Sequence, residues 1–263
     1  TSGGDPSPGP SSGPTSTSGA EAALTQAAGT AAATTATISL PMAAALAFVL
    51  GVGAGVVGTR VTAPSPEVRV EERTREALDG LSKGVKHQGV VAITGEYPYV
   101  ELAELLASGG PCPLFVALDS LTDPHNFGAI VRSAVAFGAH GILVPKHNAV
   151  GVTPVVVRVS AGATERARIA RVTNLQRTLM TLADAGMQVV GLDGDGDTDI
   201  YALPEAPQGR VVVIGSEGEG MRRMVRERCT LIAKIPISDE AESLNASVAA
   251  GIALSQARRQ MSA

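Results

Sequence analysis

The sequence predicts an α/β fold with a mainly parallel sheet covered by helices. Three observations carry that prediction. First, "LFVALD" (114–119) and "RVVVIG" (210–215) are short, continuously apolar runs, the composition of strands buried on both faces. Second, the segments between such runs have helical period with their own start and stop signals. Third, strands and helices alternate from about Glu67 onward, the order that lays strands parallel.

The chain has 263 residues, and its first 65 stand outside this pattern. The first 20 are Gly, Pro, Ser, Thr and Ala apart from Asp5. Such a segment buries too little apolar surface to offset its ordering entropy, so it reads as disordered. The uncharged run from Ile38 to Gly58 is long enough to span a bilayer, with Gly51 and Gly55 at GxxxG spacing. It reads as a membrane anchor with Arg60 on the cytoplasmic side, as an Ala/Gly-rich low-complexity tail, or as a buried helix. No basic region precedes it, so it is not read as a signal peptide. Residues 1–65 are taken as a native extension or a misread start. Every charged residue except Asp5, Glu21 and Arg60 lies at Glu67 or beyond, which places the start of the folded region there.

From that point the elements follow in order. A strand is expected at 68–70, a helix at 72–81 and a strand at 89–93. A short helix in "VELAELLAS" and a "GGPCP" linker come next, ending a segment of residues 66–110. In residues 111–263 the strand at 114–119 leads to a helix at 124–137. Asp123 is its N-cap, Pro124 sits in its first turn and Gly138 stops it. "HGILVP" (140–145) and "RIARV" (168–172) are strands, and a helix runs from Asn174 to Ala185. "MQVVGL", "RVVVIG" and "TLIAKIPI" are further strands, with a short helix from Met221 and a last helix over 244–260. "TPVVVRVSAGAT" (153–164) has β-like composition where the alternation asks for a helix.

Composition excludes some functions. Aromatics are 3% and Trp is absent, so no stacking platform for single-stranded nucleic acid is expected. The formal net charge of −4 gives no general pull toward nucleic acid, and RNA binding would rest on local basic patches. Cys112 and Cys229 form no CxxC, and the four histidines offer no zinc spacing. Both thiols are read as reduced and at least half-buried, with no metal. Asp193, Asp195, Asp197 and Asp199 alternate, but Thr198 and Pro204 stand where a calcium loop needs Gly and Glu; the segment reads as a solvated acidic loop.

Arg132 is the only formal charge between Asp123 and Pro145 in an otherwise apolar segment. A buried guanidinium is costly unless it is paired, so a carboxylate elsewhere or a ligand is expected against it. "IGSEGEGMRR" (214–223) joins a strand to a helix, and its glycines let a ligand approach the backbone. "IPISDEAESLNASVAAGIAL" (235–254) does the same, with Ser243 as helix cap and Asn245 in the first turn. Asn126 with Arg132, Glu217 and Asn245 thus mark three strand-to-helix junctions, where α/β sheets gather ligands. Glu217 is the expected partner of Arg132.

"TDPHNFGAIVRSAVAFGAHGILVP", "VVVIGSEGEGMRRMVRERC" and "IPISDEAESLNASVAAGIAL" resemble, in order and spacing, motifs 1, 2 and 3 of the SpoU (TrmH-like) RNA ribose 2'-O-methyltransferases. "KHQGVVA" and "RVTNLQRTL" make the chain most similar to the bacterial 23S rRNA guanosine-2'-O-methyltransferases. The resemblance runs from about Glu67 to the end. It implies a SPOUT fold whose C-terminal segment forms a trefoil knot, preceded by a partial segment similar to ribosomal protein L30e. It implies S-adenosyl-L-methionine as cofactor, RNA as substrate, a homodimer and a cytoplasmic enzyme. Arg132, Asn126, Glu217 and Asn245 would be the catalytic set, with Arg132 orienting the ribose 2'-hydroxyl. Gly215, Gly220, Ile235, Ser243 and Leu244 would hold the cofactor. Arg166, Arg168, Arg222 and Arg223 would track RNA phosphates, with a solvated helix face as the other reading of Arg222 and Arg223. The other readings are the same chemistry on another rRNA or tRNA nucleotide, including antibiotic-resistance methylation, and an inactive membrane-tethered RNA-binding protein.

Overall fold

The computed structural model describes residues 35–39, 69–82, 87 and 89–261. The reading of residues 1–20 as disordered lies outside the described residues, as does the apolar run beyond Ser39. Its first two residues, Ile38 and Ser39, end a strand, β1 (Thr35–Ser39), rather than open a helix. The Thr- and Ile-containing "TATIS" suits a pleated surface. β1 lies between β2 (Arg69–Arg73) and β3 (Val90–Ile93), antiparallel to the first and parallel to the second. Pairing with β1 carries β2 to Arg73, through residues expected in a helix. Helix α1 (Arg75–Ser82) therefore starts later, after Thr74, whose Oγ1 accepts from Ala77 N at 3.4 Å.

The second sheet is wholly parallel, as expected from the alternation. Its strands are β4 (Leu114–Leu118), β5 (Gly141–Pro145), β6 (Ile169–Val172), β7 (Gln188–Leu192), β8 (Thr198–Asp199), β9 (Arg210–Ile214) and β10 (Leu231–Lys234). They lie in the order β6-β5-β4-β9-β7-β10-β8. Every residue of β4, β5 and β9 is buried, because helices cover both faces of the sheet.

On one face Val116, Leu118, Ile142, Val212 and Ile214 pack with α3 (Pro124–Ala136), α4 (Pro154–Val159) and α7 (Ala246–Met261). On the other face the alternate residues Phe115, Ala117, Leu143, Val211 and Val213 pack with α2 (Leu102–Ala107), α5 (Leu175–Asp184) and α6 (Arg223–Arg226). This alternation is the two-residue period of a strand.

The 153–164 segment is helical. Thr153 Oγ1 accepts from Val156 N at 3.4 Å, Pro154 opens α4, and a 3-10 turn covers Ala163–Glu165. Tertiary packing against α3 overrides the β-branched composition. Asp123 caps α3 as expected, accepting from His125 N and Asn126 N at 3.1 Å each.

The segment after β3 runs along the edge strand β6, where Val100 bridges Ala170. Tyr97 O–H faces the carbonyls of Thr164 and Ala167 at 2.9 Å each, and burial raises its pKa. Tyr99 Oη accepts from Val152 N at 2.8 Å.

The strand order reverses between β4 and β9. β4 is followed by its neighbours on one side, and β9 by β10 on the other. Such a switch point leaves a crevice at the carboxyl ends of the strands. Among the described residues no helix is long and apolar enough to cross a membrane.

Candidate active site

The crevice is occupied by three segments. The first is the 215–222 turn after β9. Ser216 and Gly220 exchange both backbone hydrogen bonds at 3.0 Å, and Gly218 and Gly220 have φ of +85° and +68°. A Cβ on Gly215 would lie 2.2 Å from the carbonyl carbon of Gly220, so only glycine lets the turn fold back on its strand. The second is the loop after β7, from Asp193. The third is residues 235–245, which lead from β10 into α7.

These segments enclose a cavity of about 510 Å³ lined by Gly215, Gly220, Ile235, Ser243 and Leu244. All five residues assigned to the cofactor therefore share one cavity, of a size that suits a small-molecule ligand. Its charged lining is acidic, from Asp193, Asp195, Glu217, Glu219 and Glu242. Asp193 is not merely solvated as expected. Arg226 pairs with it and ties α6 to this loop, and its Oδ1 accepts from Asp195 N at 3.0 Å.

At the cavity mouth three of the four expected polar residues meet. The Asn245 amide nitrogen donates to Asn126 Oδ1 at 2.9 Å and to Glu217 Oε1. Its Oδ1 accepts from Ser247 N at 2.9 Å, from Ser247 Oγ at 2.6 Å and from Val248 N at 3.3 Å. Asn245, and not Ser243, is thus the N-cap of α7, which starts at Ala246 instead of 244. Asn126 is buried in the first turn of α3, while Glu217 and Asn245 are exposed.

Arg132 does not join them. It is exposed and makes no hydrogen bond or ion pair with any described residue, so the expected pairing with Glu217 is absent. The reason is geometric: six residues along a helix is a rotation of about 240°, which turns Arg132 away from Asn126. Among the described residues the buried arginine is Arg210, at the start of β9. Only neutral oxygens satisfy it: Gln188 Oε1 at 2.6 Å, Gln260 Oε1 at 2.5 Å and Pro204 O at 2.7 Å. Burial lowers its pKa.

Asp119 is the residue that sequence reasoning missed. It is fully buried at the end of β4 and holds Arg222 three ways. It accepts from Arg222 N and Nε at 2.8 Å each, and Arg222 Nη2 lies 2.6 Å from Oδ1. The signal was available as a charge closing the apolar run "LFVALD".

Several other basic residues are also engaged. Arg168 pairs with Glu104 at 2.7 Å and Arg223 with Glu227 at 2.9 Å. Arg171 donates to Lys146 O and lies 5.1 Å from the ring centroid of Tyr99. Of the four arginines assigned to RNA, Arg166 alone is exposed without a partner among the described residues.

Both cysteines are free and partly buried. Burial pushes the Cys229 thiol up to about 12, which excludes it as a nucleophile near neutral pH. Among the described residues no group of three or more His, Cys, Asp or Glu is arranged to hold a metal ion.

Residues 113–255 match the model of the SpoU rRNA methylase family. The chain belongs to this family. It is 48% identical over 196 residues to an uncharacterized tRNA/rRNA methyltransferase of Mycobacterium sp. (strain KMS), a match covering 73% of this chain and 62% of that protein. The chain thus spans less than two thirds of that relative's length.

Among solved structures, it is similar to the SpoU methyltransferase AviRb from Streptomyces viridochromogenes in complex with AdoMet. The TM-score is 0.58 and the identity 28%, over 73% of this chain and 80% of AviRb. It is also similar to an AdoMet-bound rRNA methyltransferase from Sinorhizobium meliloti, with a TM-score of 0.56 and 27% identity over 70% of this chain and 77% of that one. An RNA 2'-O ribose methyltransferase matches with a TM-score of 0.52 and 27% identity, over 64% of this chain and 60% of its own.

Proposed function

We propose that this SpoU-family protein is an S-adenosyl-L-methionine-dependent RNA ribose 2'-O-methyltransferase, acting on a guanosine of 23S rRNA as a cytoplasmic homodimer. The observation that carries the reading is the meeting of Asn126, Glu217 and Asn245 at the mouth of a glycine-turned cavity. The cavity fits the cofactor on its own chemistry. Its acidic lining favours a sulfonium cation, and the Gly215 turn leaves backbone where a side chain would intrude. Gly215, Gly220, Ile235, Ser243 and Leu244 would hold the cofactor, which supplies an electrophilic methyl group.

The chain's own residues prepare the acceptor. Asn126, held by the Asp123 cap, and Glu217 are fixed to one another through the Asn245 amide. Glu217 offers a carboxylate that would take the proton the ribose hydroxyl loses. Arg132 is too strong a cation to act as a base; turned away from Asn126, its guanidinium fork would orient the 2'-oxygen and stabilise the alkoxide only with RNA bound between it and the Asn126–Glu217–Asn245 cluster. Holding the hydroxyl in place is the larger contribution, because methyl transfer needs alignment above all.

Three further points support the reading. β10 lies between β7 and β8, yet the following α7 packs back on α3 and β9. The intervening residues line the same cavity as the 193–195 and 214–220 segments, a neighbourhood that supports the trefoil knot implied by the resemblance. β2, α1 and β3 suit a partial L30e-like RNA-capturing unit within residues 66–110. Val248 on α7 is 49% exposed, an apolar side chain that a second copy would cover.

The test is methyl transfer from radiolabelled S-adenosylmethionine to ribosomal RNA from a host lacking the modification, with Arg132→Ala alongside. Label mapped to a guanosine 2'-oxygen from wild type, and at least tenfold less from the variant, is expected. Cofactor binding without transfer to any RNA overturns the reading.

A further inference from the structure

Ion pairing sorts the arginines of this fold. Glu104, Asp119, Glu227 and Asp193 occupy Arg168, Arg222, Arg223 and Arg226, and Arg259 on α7 donates to Gln256 at 3.0 Å. On the helical layer that carries Asn126 and Asn245, three arginines stay exposed with no partner among the described residues: Arg132, Arg158 and Arg166.

They share one flank. Gly128 lets α4 close on α3, since a Cβ there would lie 2.7 Å from Val159 Cβ and 3.0 Å from the Val156 carbonyl oxygen. Arg132 follows Gly128 by one turn on the same face of α3. Arg158 adjoins Val159 on α4. The 3-10 turn Ala163–Glu165 also packs on α3, and Arg166 follows it directly. Glu165 makes no ion pair with its neighbour Arg166, and its Oε1 is buried without a hydrogen-bond partner among the described residues.

The chain holds 25 acidic and 21 basic residues, so three unpaired cations on one flank are not for want of carboxylates. They repel one another unless an external anion lies between them. The cavity mouth has the opposite sign, with Glu217, Glu219 and Glu242 in its lining. A polyanion is thus admitted along the α3–α4 flank and repelled at the cofactor cavity.

We propose that Arg158 and Arg166 bind the RNA backbone on this flank and lead the strand to Arg132. The proposal rests on the RNA methyltransferase reading above. Both residues are binding groups and take no part in the chemistry. Their planar forks suit bidentate contact with phosphate oxygens.

The test uses the full chain and 23S rRNA transcribed in vitro. RNA binding is measured against salt, S-adenosylmethionine binding by calorimetry, and transfer with RNA as the varied substrate. Arg158→Ala and Arg166→Ala are each expected to raise KM for RNA. Each should flatten the dependence of log affinity on log salt by about 0.7–0.9, so the wild-type advantage shrinks roughly threefold between 50 and 200 mM salt. At saturating RNA, kcat and cofactor affinity stay at wild-type values. Arg158→Lys recovers the salt dependence because it keeps the charge.

Arg177→Ala, at an arginine of α5 on the opposite face of the sheet with no side-chain partner among the described residues, changes none of these. Wild-type RNA affinity and salt slope in both alanine variants overturn the proposal while the methyltransferase reading stands. Loss of cofactor affinity in Arg158→Ala also overturns it, by assigning the residue a structural role. A wild type that neither binds nor methylates RNA overturns both.

Discussion

Asn245 serves two structures with one amide. Its oxygen caps α7 and its nitrogen joins Glu217 to Asn126. The two roles separate by substitution. Asn245→Asp keeps an oxygen for the helix N–H groups but sets a second carboxylate against Glu217. It should retain stability near the wild type and lose methyl transfer at least tenfold, about 1.4 kcal/mol or more at the barrier. Asn245→Ala removes the cap as well, at a further cost of about 1 kcal/mol in folding. Thermal unfolding beside a transfer assay distinguishes them, and equal melting of the two variants would contradict the capping role. Asn245 was legible as a site residue because a helix interior gives asparagine little reason to be there. Its capping role was not, since Ser243 is an equally good cap by composition. Arg132 shows the converse limit. An apolar neighbourhood in sequence suggested burial, but the helical rotation decides exposure, and the deeply buried arginine proved to be Arg210.

Elements were read best where local and tertiary preferences agree. The buried strands and the Asp123-capped α3 stand where composition places them. α4 was obscure because β-branched residues are neutral evidence once a Thr cap, a Pro at the first turn and a packing partner are supplied. The 215–222 turn gains its shape from a strand about 100 residues away, which no local pattern reveals. Asp119 anchors Arg222 at the end of the turn while Gly215 fixes its beginning. Asp119→Asn keeps the size and removes the charge. It should weaken S-adenosylmethionine binding about tenfold and destabilise the fold by about 1–3 kcal/mol, the range for a buried group losing its hydrogen-bond partner. Calorimetric titration with the cofactor and thermal melting read the two effects. Unchanged cofactor affinity would mean that the turn holds its shape without the clasp.

At the scale of the molecule, α7 is what connects the site to the far side of the sheet. It begins at the Asn245 cap and ends near Gln260, whose side chain receives the Arg210 guanidinium and donates to Leu203 O at 3.0 Å. Arg210 also reaches Gln188 on β7 and the Pro204 carbonyl. One buried cation therefore ties two strands, a loop and the last helix together at the end of the sheet opposite the cavity. Arg210→Met fills much of the same volume but leaves three oxygens without their donor. The expected loss is about 2–4 kcal/mol, a fall in Tm on the order of 5–15 °C for a domain of this size. Hydrogen exchange should rise first in the C-terminal turns of α7, because that end loses its anchor while Ala250, Ala253 and Leu254 stay packed. Cofactor affinity should fall less than in Asp119→Asn, since the Asn245 end is held separately by its cap and by Asn126. Faster exchange at the Asn245 end before the Gln260 end would contradict this order, and would mean that α7 is fastened at the site rather than at Arg210.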